Sequence, residues 1–138
     1  MSSPEAPAAS VSKVECLATV PGRGVAKVSL FKHLAPLTVN ALLRVFPIDS
    51  RVNVQPSLVA LFTPMRVGVE KGRTSYSRGD VAFLPSGGLV CFFLKDSRSE
   101  MPLNPIGKVE DGLSALEGVK RGDTVRLEAV AASLQPSQ

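Results

Sequence analysis

The chain has 138 residues, of which 44% are hydrophobic and 20% charged, an ordinary composition for one globular domain. It has no apolar run near the roughly 18 residues of a membrane helix, and its N-terminus lacks the basic and apolar segments of a secretory signal. We therefore expect a cytoplasmic protein that does not contact membranes. The net charge is +4, but the basic residues are scattered and only 5% of residues are aromatic, so we do not expect nucleic acid as a partner.

The cysteine and histidine content argues against metal and cofactor chemistry. Cys16 and Cys91 are too few to staple a small secreted fold, and each lies in an apolar run, so both are predicted to be reduced and buried. His33 is the only histidine, and there is no Cys-x-x-Cys pair. The sequence predicts no metal site and no cofactor, and nothing in the spacing supports a catalytic triad through His33.

The chain begins and ends with segments rich in small and polar residues. We predict an N-terminal tail over residues 1–12, one domain over residues 13–132 and a C-terminal tail over residues 133–138. The domain opens with two β-branched, apolar runs, residues 14–20 and 25–31, separated by the sequence PGRG. This pattern predicts a β-hairpin.

A short amphipathic helix is predicted next. Thr38 is a candidate N-cap. The apolar residues that follow recur at helical spacing, and Pro47 ends the pattern. They are Val39, Leu42, Leu43 and Phe46.

The middle of the chain predicts short strands that are separated by proline and glycine. They cover residues 51–55, 58–62, 65–70, 74–77, 81–84 and 89–94. A solvated hairpin is predicted to carry a local excess of basic residues, which comprises Arg66, Lys71, Arg73 and Arg78. The last strand is apolar on both faces and must be covered on both sides, which favours a closed barrel.

The remaining segments complete the predicted barrel. A polar loop over residues 95–105 leads to a strand at 106–109, a second short helix with Leu113, Leu116 and Val119 on one face, and a final strand at 124–131. The predicted fold is therefore mainly β, a closed barrel of about eight strands with two short helices.

Three stretches resemble parts of the cyclophilins, the barrel-fold peptidyl-prolyl isomerases. They read KVSLFKHLAPLTVNALLRVF, LVCFFL and IGKVEDGLSALEGV. Two further segments are similar to small, uncharacterised prokaryotic cyclophilin-like proteins, and they read GDVAFLPSGGLVCFF and NPIGKVEDGL. The resemblance extends over about residues 14–128. It implies a cyclophilin-like barrel and a prokaryotic source.

The resemblance also implies where an isomerase site would lie. Cyclophilins use an arginine donor and an apolar cup for the proline ring, and Arg51 and Phe93 match the arginine and one pocket phenylalanine by position. The other cup residues of the family are absent, because Pro56, Ser57 and Val59 replace them, and the chain has no tryptophan. The simpler interpretations are a surface arginine and a core phenylalanine.

Two main hypotheses follow. Because side chains alternate along a strand, Cys91 and Phe93 share one face, and Arg51, Asn53 and Gln55 share another. We favour a noncatalytic module that binds a peptide or small molecule through Asn53, Gln55, Cys91 and Phe93.

The alternative is a weak or degenerate prolyl isomerase with Arg51 as its catalytic residue. A polyanion binder is a third, weaker hypothesis. The segment 95–105 is also long enough to cover a cleft.

Overall fold

Residues 12–130 are described by the computed structural model, and they form nine strands and two helices. The strands are β1 (Lys13–Val20), β2 (Gly24–Phe31), β3 (Ile48–Val54), β4 (Leu58–Phe62), β5 (Arg73–Tyr76), β6 (Asp80–Leu84), β7 (Leu89–Phe93), β8 (Ser97–Asp111) and β9 (Thr124–Ala129). The helices are α1 (Pro36–Val45) and α2 (Leu113–Glu117). Apart from Ser12, the predicted tails lie outside the described residues.

Eight of these strands form a closed antiparallel barrel. Their order is β2-β1-β9-β3-β4-β7-β6-β8, and pairing of β8 with β2 closes the ring. Strand β5 lies outside this ring and pairs with β8. The predicted barrel of about eight strands with two helices is confirmed.

The barrel interior contains the larger apolar cluster, and the alternation of each strand decides which side chains enter it. Along β7, Val90 and Phe92 belong to this cluster, whereas Cys91 and Phe93 belong to a second cluster on the outer face. Helix α1 contributes Val39 and Leu42 to the inner cluster, and α2 contributes Ala115 and Leu116. Both cysteines are free and buried, as predicted.

Helix α1 starts three residues earlier than predicted. Its N-cap position is Ala35, which forms no side-chain cap, and Pro36 occupies the first turn. Proline suits this position because the first helical N–H groups have no partner within the helix. Thr38 is therefore not the N-cap but a buried residue inside the first turn.

A carboxylate from a distant loop caps α1 instead. Glu70 accepts hydrogen bonds from the N–H groups of Leu37 and Thr38, both at 2.9 Å, and from the Thr38 hydroxyl at 2.7 Å. Asn104, which is fully buried, accepts from the Glu70 N–H at 2.7 Å and donates to Thr38 Oγ1 and the Gly68 carbonyl, both at 2.9 Å. These side chains join α1, the 63–72 segment and β8.

The predicted hairpin of the basic segment is wrong. Residues 65–70 form no strand, and β5 pairs with β8 rather than with the preceding segment. The backbone of Glu70 is instead fixed by Asn104, and its side chain caps α1. This use of the 65–70 segment depends on partners that are more than 30 positions away in the sequence.

The predicted loop over residues 95–105 is also wrong. Residues 97–105 form the first part of β8, which pairs with β5 and β6. The sequence pattern does not indicate this strand, because its residues are mostly polar and include two prolines. Proline is uncommon within strands, since it cannot donate a hydrogen bond to a neighbouring strand. The pairing with β6 shifts register beside Pro105, which accommodates that loss. As a paired strand, this segment forms a wall of the outer face rather than a loop over a cleft.

Within residues 12–130, no helix is long and apolar enough to span a membrane.

Candidate functional site

The outer face of the barrel contains a second apolar cluster over strands β4, β6 and β7. Its buried members are Ala60, Tyr76, Ala82, Cys91, Phe93 and Leu103, with the partly buried Leu58, Leu84 and Leu89 packed against them. A barrel's outer face normally meets solvent, so an apolar cluster there needs a cover. The first part of β8 and the adjacent β5 provide this cover through Leu103 and Tyr76.

Two aromatic rings form the centre of the cluster. The Tyr76 and Phe93 rings are stacked with centroids 4.8 Å apart and an interplanar angle of 4°. The Tyr76 hydroxyl donates a 2.7 Å hydrogen bond to the Leu103 carbonyl, and the Arg73 guanidinium lies 5.1 Å from the Tyr76 centroid. Burial raises the pKa of Tyr76 to about 12, although the neighbouring Arg73 opposes this rise. The ring is therefore a fixed, neutral support for Phe93.

The cover is incomplete, and it leaves a groove of about 230 Å³ above the cluster. We call this cavity the outer groove. Its lining comprises Gln55, Ser57, Leu58, Ala60, Leu84, Leu89, Cys91, Phe93, Ser97, Arg98, Ser99 and Leu103. Its volume is below the roughly 300–1,000 Å³ typical of sites for drug-sized ligands. The groove therefore suits one apolar side chain or a molecule of similar size.

The outer groove is apolar at one end and polar at the other. Strand register pairs Leu84 with Leu89 at the start of β7, and Leu58 with Phe93 at its end. At the Phe93 end, the Leu94 N–H donates to the Ser57 carbonyl at 2.8 Å, which ties the β3–β4 turn to the chain leading into β8. The two segments that meet at this end are the β3–β4 turn, which contains Gln55 and Ser57, and the start of β8, which contains Arg98.

The lining does not supply a proton-transfer group that works near neutral pH. It contains no Asp, Glu, His or Lys. Burial raises the pKa of the Cys91 thiol to about 12, so this thiol stays protonated and is a poor nucleophile. Arginine does not lose its proton in proteins. The groove can thus offer apolar contact and hydrogen bonds.

The structure places three of the five predicted site residues in the outer groove. Gln55, Cys91 and Phe93 line it. Asn53 is exposed and aligned with Ala60 and Cys91, one strand beyond the lining. It lies on the outer face beside the groove.

Arg51 lies away from Phe93. It is exposed on β3, two positions beyond Asn53 toward the end of the sheet where β4 pairs Phe62 with Leu89. Phe93 is four residues from Leu89, which amounts to about 13 Å along a strand. Arg51 is thus at the opposite end of β7 from Phe93.

Sequence reasoning missed several residues of the site, and in particular Tyr76 and Arg98. Tyr76 enters the cluster through the pairing of β5 with β8, and Arg98 lies within the segment interpreted as a loop. A weak signal was present for part of this segment, because the charged Arg98 lies between two small residues, Ser97 and Ser99. Alternation over three polar residues is too short to identify a strand.

Three larger cavities have less suitable linings, and the one of about 450 Å³ is lined by Ser75, Tyr76, Ser77, Asp96, Ser97 and Arg98 beside β5. Of the remaining two, one of about 550 Å³ lies between the turns at residues 63–68 and 85–88 and is lined largely by turn residues. The other, of about 560 Å³, has Lys13, Glu15, Lys27 and Glu110 around it and borders Val130, the last described residue. In residues 12–130, no three His, Cys, Asp or Glu side chains group to hold a metal ion.

The sequence of residues 16–128 matches the family described as cyclophilin-like. This match covers most of the 138 residues. The chain therefore belongs to the cyclophilin-like family, as its motifs predict.

Solved structures show the same fold. The chain is similar to the solution structure of the hypothetical protein AF2241 from Archaeoglobus fulgidus, with a TM-score of 0.75, 24% identity and coverage of 86% of this chain and 96% of that chain. It is also similar to McbB in complex with tryptophan, with a TM-score of 0.68 and 16% identity over 82% of this chain and 44% of McbB. At these identities the likeness concerns the fold alone. No curated protein matches the chain.

Proposed function

We propose that this protein is a noncatalytic binding module whose outer groove takes one apolar side chain of a peptide or a small molecule of that size. The observation that carries the proposal is the lining of this groove, an apolar floor with polar groups at its rim. Apolar lining with a few polar groups is the usual composition of a small-ligand site. McbB, whose structure contains tryptophan, shares only the fold, so the ligand class is argued from the groove itself.

The absence of turnover is supported by the chemistry of the lining. Burial keeps the Cys91 thiol protonated, and the lining has no Asp, Glu, His or Lys, so it offers no general acid or base near neutral pH. Prolyl isomerisation needs no such group, but it needs a donor near the bound proline. The register of β3 and β7 puts Arg51 about 13 Å along the sheet from Phe93, which counts against the isomerase that the family resemblance suggested.

An NMR titration of ¹⁵N-labelled protein with N-acetyl-leucinamide tests this proposal. The probe is neutral and carries one apolar side chain. We expect the amide shifts to concentrate around Leu58, Leu89 and Phe93. Leu58→Gln removes part of the apolar wall but keeps its length, and it should weaken binding about fivefold, or roughly 1 kcal/mol.

Leu37→Gln is the matched control for this titration. Leu37 lies on α1, is 69% exposed and does not line the groove, so this variant should bind like the wild type. Urea denaturation of both variants verifies that each is folded at the titration temperature. Shifts spread over the surface, or equal binding by Leu58→Gln, would contradict the proposed site.

A further inference from the structure

The outer groove opens at its Leu84–Leu89 end onto an uncovered part of the outer face. Leu89 pairs with Leu84 on β6 and with Phe62 on β4, and directly paired residues of an antiparallel sheet have their side chains on the same face. Leu84 and Leu89 line the groove, whereas Phe62 does not and is 47% exposed. On the β6 side the Ser86 hydroxyl lies 3.9 Å from the Met101 sulfur, so β8 reaches this end there. The apolar surface therefore continues, uncovered, toward β4.

Arg51 is the next residue in this row across the sheet. The register of β3 and β4 pairs Val52 with Leu61, so Arg51 lies opposite Phe62, one position further along. Val52 belongs to the inner core cluster, and alternation therefore puts the Arg51 side chain on the outer face, which is also the face of Phe62. Arg51 is exposed, and within residues 12–130 its guanidinium forms no hydrogen bond or ion pair.

The neighbours of Arg51 leave its charge without a counter-ion. Across the sheet it lies between two neutral residues, Thr124 on β9 and Phe62 on β4. The carboxylate two positions away on the same face of β3 belongs to Asp49, which pairs with Arg126 at 3.5 Å. The row that begins in the outer groove thus ends, beyond Phe62, at an exposed cation.

We propose that the outer groove and this row together bind an extended peptide segment in which an acidic residue stands two positions from an apolar one. The apolar side chain occupies the groove at Leu89, the peptide backbone crosses Phe62, and the carboxylate meets Arg51. A guanidinium matches a carboxylate in charge and in planar geometry. This inference rests on the proposed function, because the apolar side chain uses the same groove.

The spacing of the strands determines the spacing of the two side chains in the peptide. Neighbouring strands are about 4.8 Å apart, so Arg51 on β3 is roughly 10 Å across the sheet from Leu89 on β7. In an extended peptide, side chains two positions apart point to the same side and are about 6.6 Å apart. The long arginine and glutamate side chains span the remaining distance. A carboxylate only one position from the apolar residue would point away from the sheet.

Two blocked pentapeptides test the inference by NMR titration, acetyl-Glu-Ala-Leu-Ala-Glu-amide and the neutral acetyl-Gln-Ala-Leu-Ala-Gln-amide. Each has the leucine between two identical residues, so either direction of the peptide presents one of them to Arg51. We expect the wild type to bind the glutamate peptide about three- to fivefold more tightly, since an exposed charge pair contributes modestly. The Leu89 and Phe62 amides should shift with both peptides. The preference should shrink at about 0.5 M salt, where charges are strongly screened.

Arg51→Gln should bind both peptides with equal affinity. Arg44→Gln is the matched control, because it removes the same charge from an exposed position on α1 that does not line the groove. It should keep the preference for the glutamate peptide. The ¹⁵N spectra of both variants verify that each is folded.

The outcomes separate this inference from the proposed function. Groove shifts with equal affinity of the wild type for both peptides would overturn the acidic-peptide inference and leave binding in the groove standing. The absence of groove shifts with either peptide would overturn both. A preference that survives in Arg51→Gln, or that is lost equally in Arg44→Gln, would overturn the role of Arg51.

Discussion

Glu70 and Asn104 are the residues on which the junction of α1, the 63–72 segment and β8 depends. Glu70 satisfies N–H groups at the start of a helix that has no side-chain cap of its own. Asn104 is fully buried, and its side chain forms three hydrogen bonds. Sequence reasoning could not find this network, because its members are 32 to 66 positions apart. Only the folded barrel brings them together.

The first prediction concerns Glu70→Gln. Burial alone would raise the pKa of Glu70, but hydrogen bonds from Leu37 and Thr38 and the charge of Lys71 lower it below its ordinary value of 4.5. The amide cannot accept all of these bonds, so the variant should lose about 1–2 kcal/mol of unfolding free energy at pH 7. Urea denaturation measures this loss.

The pH dependence of the loss provides a second readout. A carboxylate with a lowered pKa stabilises the fold above the unfolded-state pKa and loses this effect as pH falls through the folded-state pKa. The gap between wild type and Glu70→Gln should therefore be full above about pH 5 and should shrink below pH 4.5. Glu100→Gln, at an exposed position of β8, should match the wild type at all pH values. A gap that is constant with pH would contradict a role for the charge.

Strand β8 is the element that closes the barrel and also forms a wall of the outer groove. It pairs with β2, β5 and β6 along its 15 residues. At Gly107 the backbones of β8 and β2 approach so closely that an added Cβ would lie 1.9 Å from the Ser29 carbonyl oxygen. Only glycine fits this seam without displacing one of the strands.

We predict that Gly107→Ala destabilises the protein by at least about 2 kcal/mol, because backbone must move to admit the methyl group. Gly68→Ala is the matched control, since its Cβ would meet no atom within 4 Å. It should change the unfolding free energy by less than about 1 kcal/mol. Thermal or urea denaturation measures both changes. A Gly107→Ala variant as stable as the control would show that the β2–β8 seam tolerates a side chain.

The accuracy with which the sequence predicts each strand or helix follows the regularity of its apolar pattern. Strands β1, β2, β6 and β7 and helix α1 have periodic apolar residues, and they lie within a few residues of their predicted positions. The prediction of strand β8 failed because the first part of the strand is polar and contains two prolines. Its pairing with β5 and β6 cannot be recognised from the local sequence. Local patterns record which face is buried, whereas strand pairing depends on the whole fold.

At the scale of the whole molecule, the outer groove depends on four strands and a turn that the closed barrel brings together. Cys91 and Phe93 could be predicted because alternation along β7 fixes their common face. Gln55 could be placed on the outer face by the same reasoning. Arg98 could not be predicted, because its position depends on how β8 crosses the outer face.

The separation of Arg51 from Phe93 is likewise a property of the assembled sheet. Each residue matches a cyclophilin site residue by order along the chain, but the register of β3, β4 and β7 puts them at opposite ends of the outer face. We predict that Arg51→Ala leaves the affinity for N-acetyl-leucinamide within about twofold of the wild type. An NMR titration measures this affinity, and a loss comparable to that of Leu58→Gln would contradict the proposed placement of the ligand.

The central claim is binding in the outer groove without turnover, and NMR of a short neutral Leu-Pro peptide with the protein tests both parts. Uncatalysed prolyl isomerisation takes tens to hundreds of seconds, so even weak catalysis is measurable by exchange between the cis and trans signals. We predict amide shifts near Leu58, Leu89 and Phe93, with an exchange rate equal to that of the peptide alone. An accelerated exchange that disappears in Arg51→Ala would contradict the account and establish a prolyl isomerase.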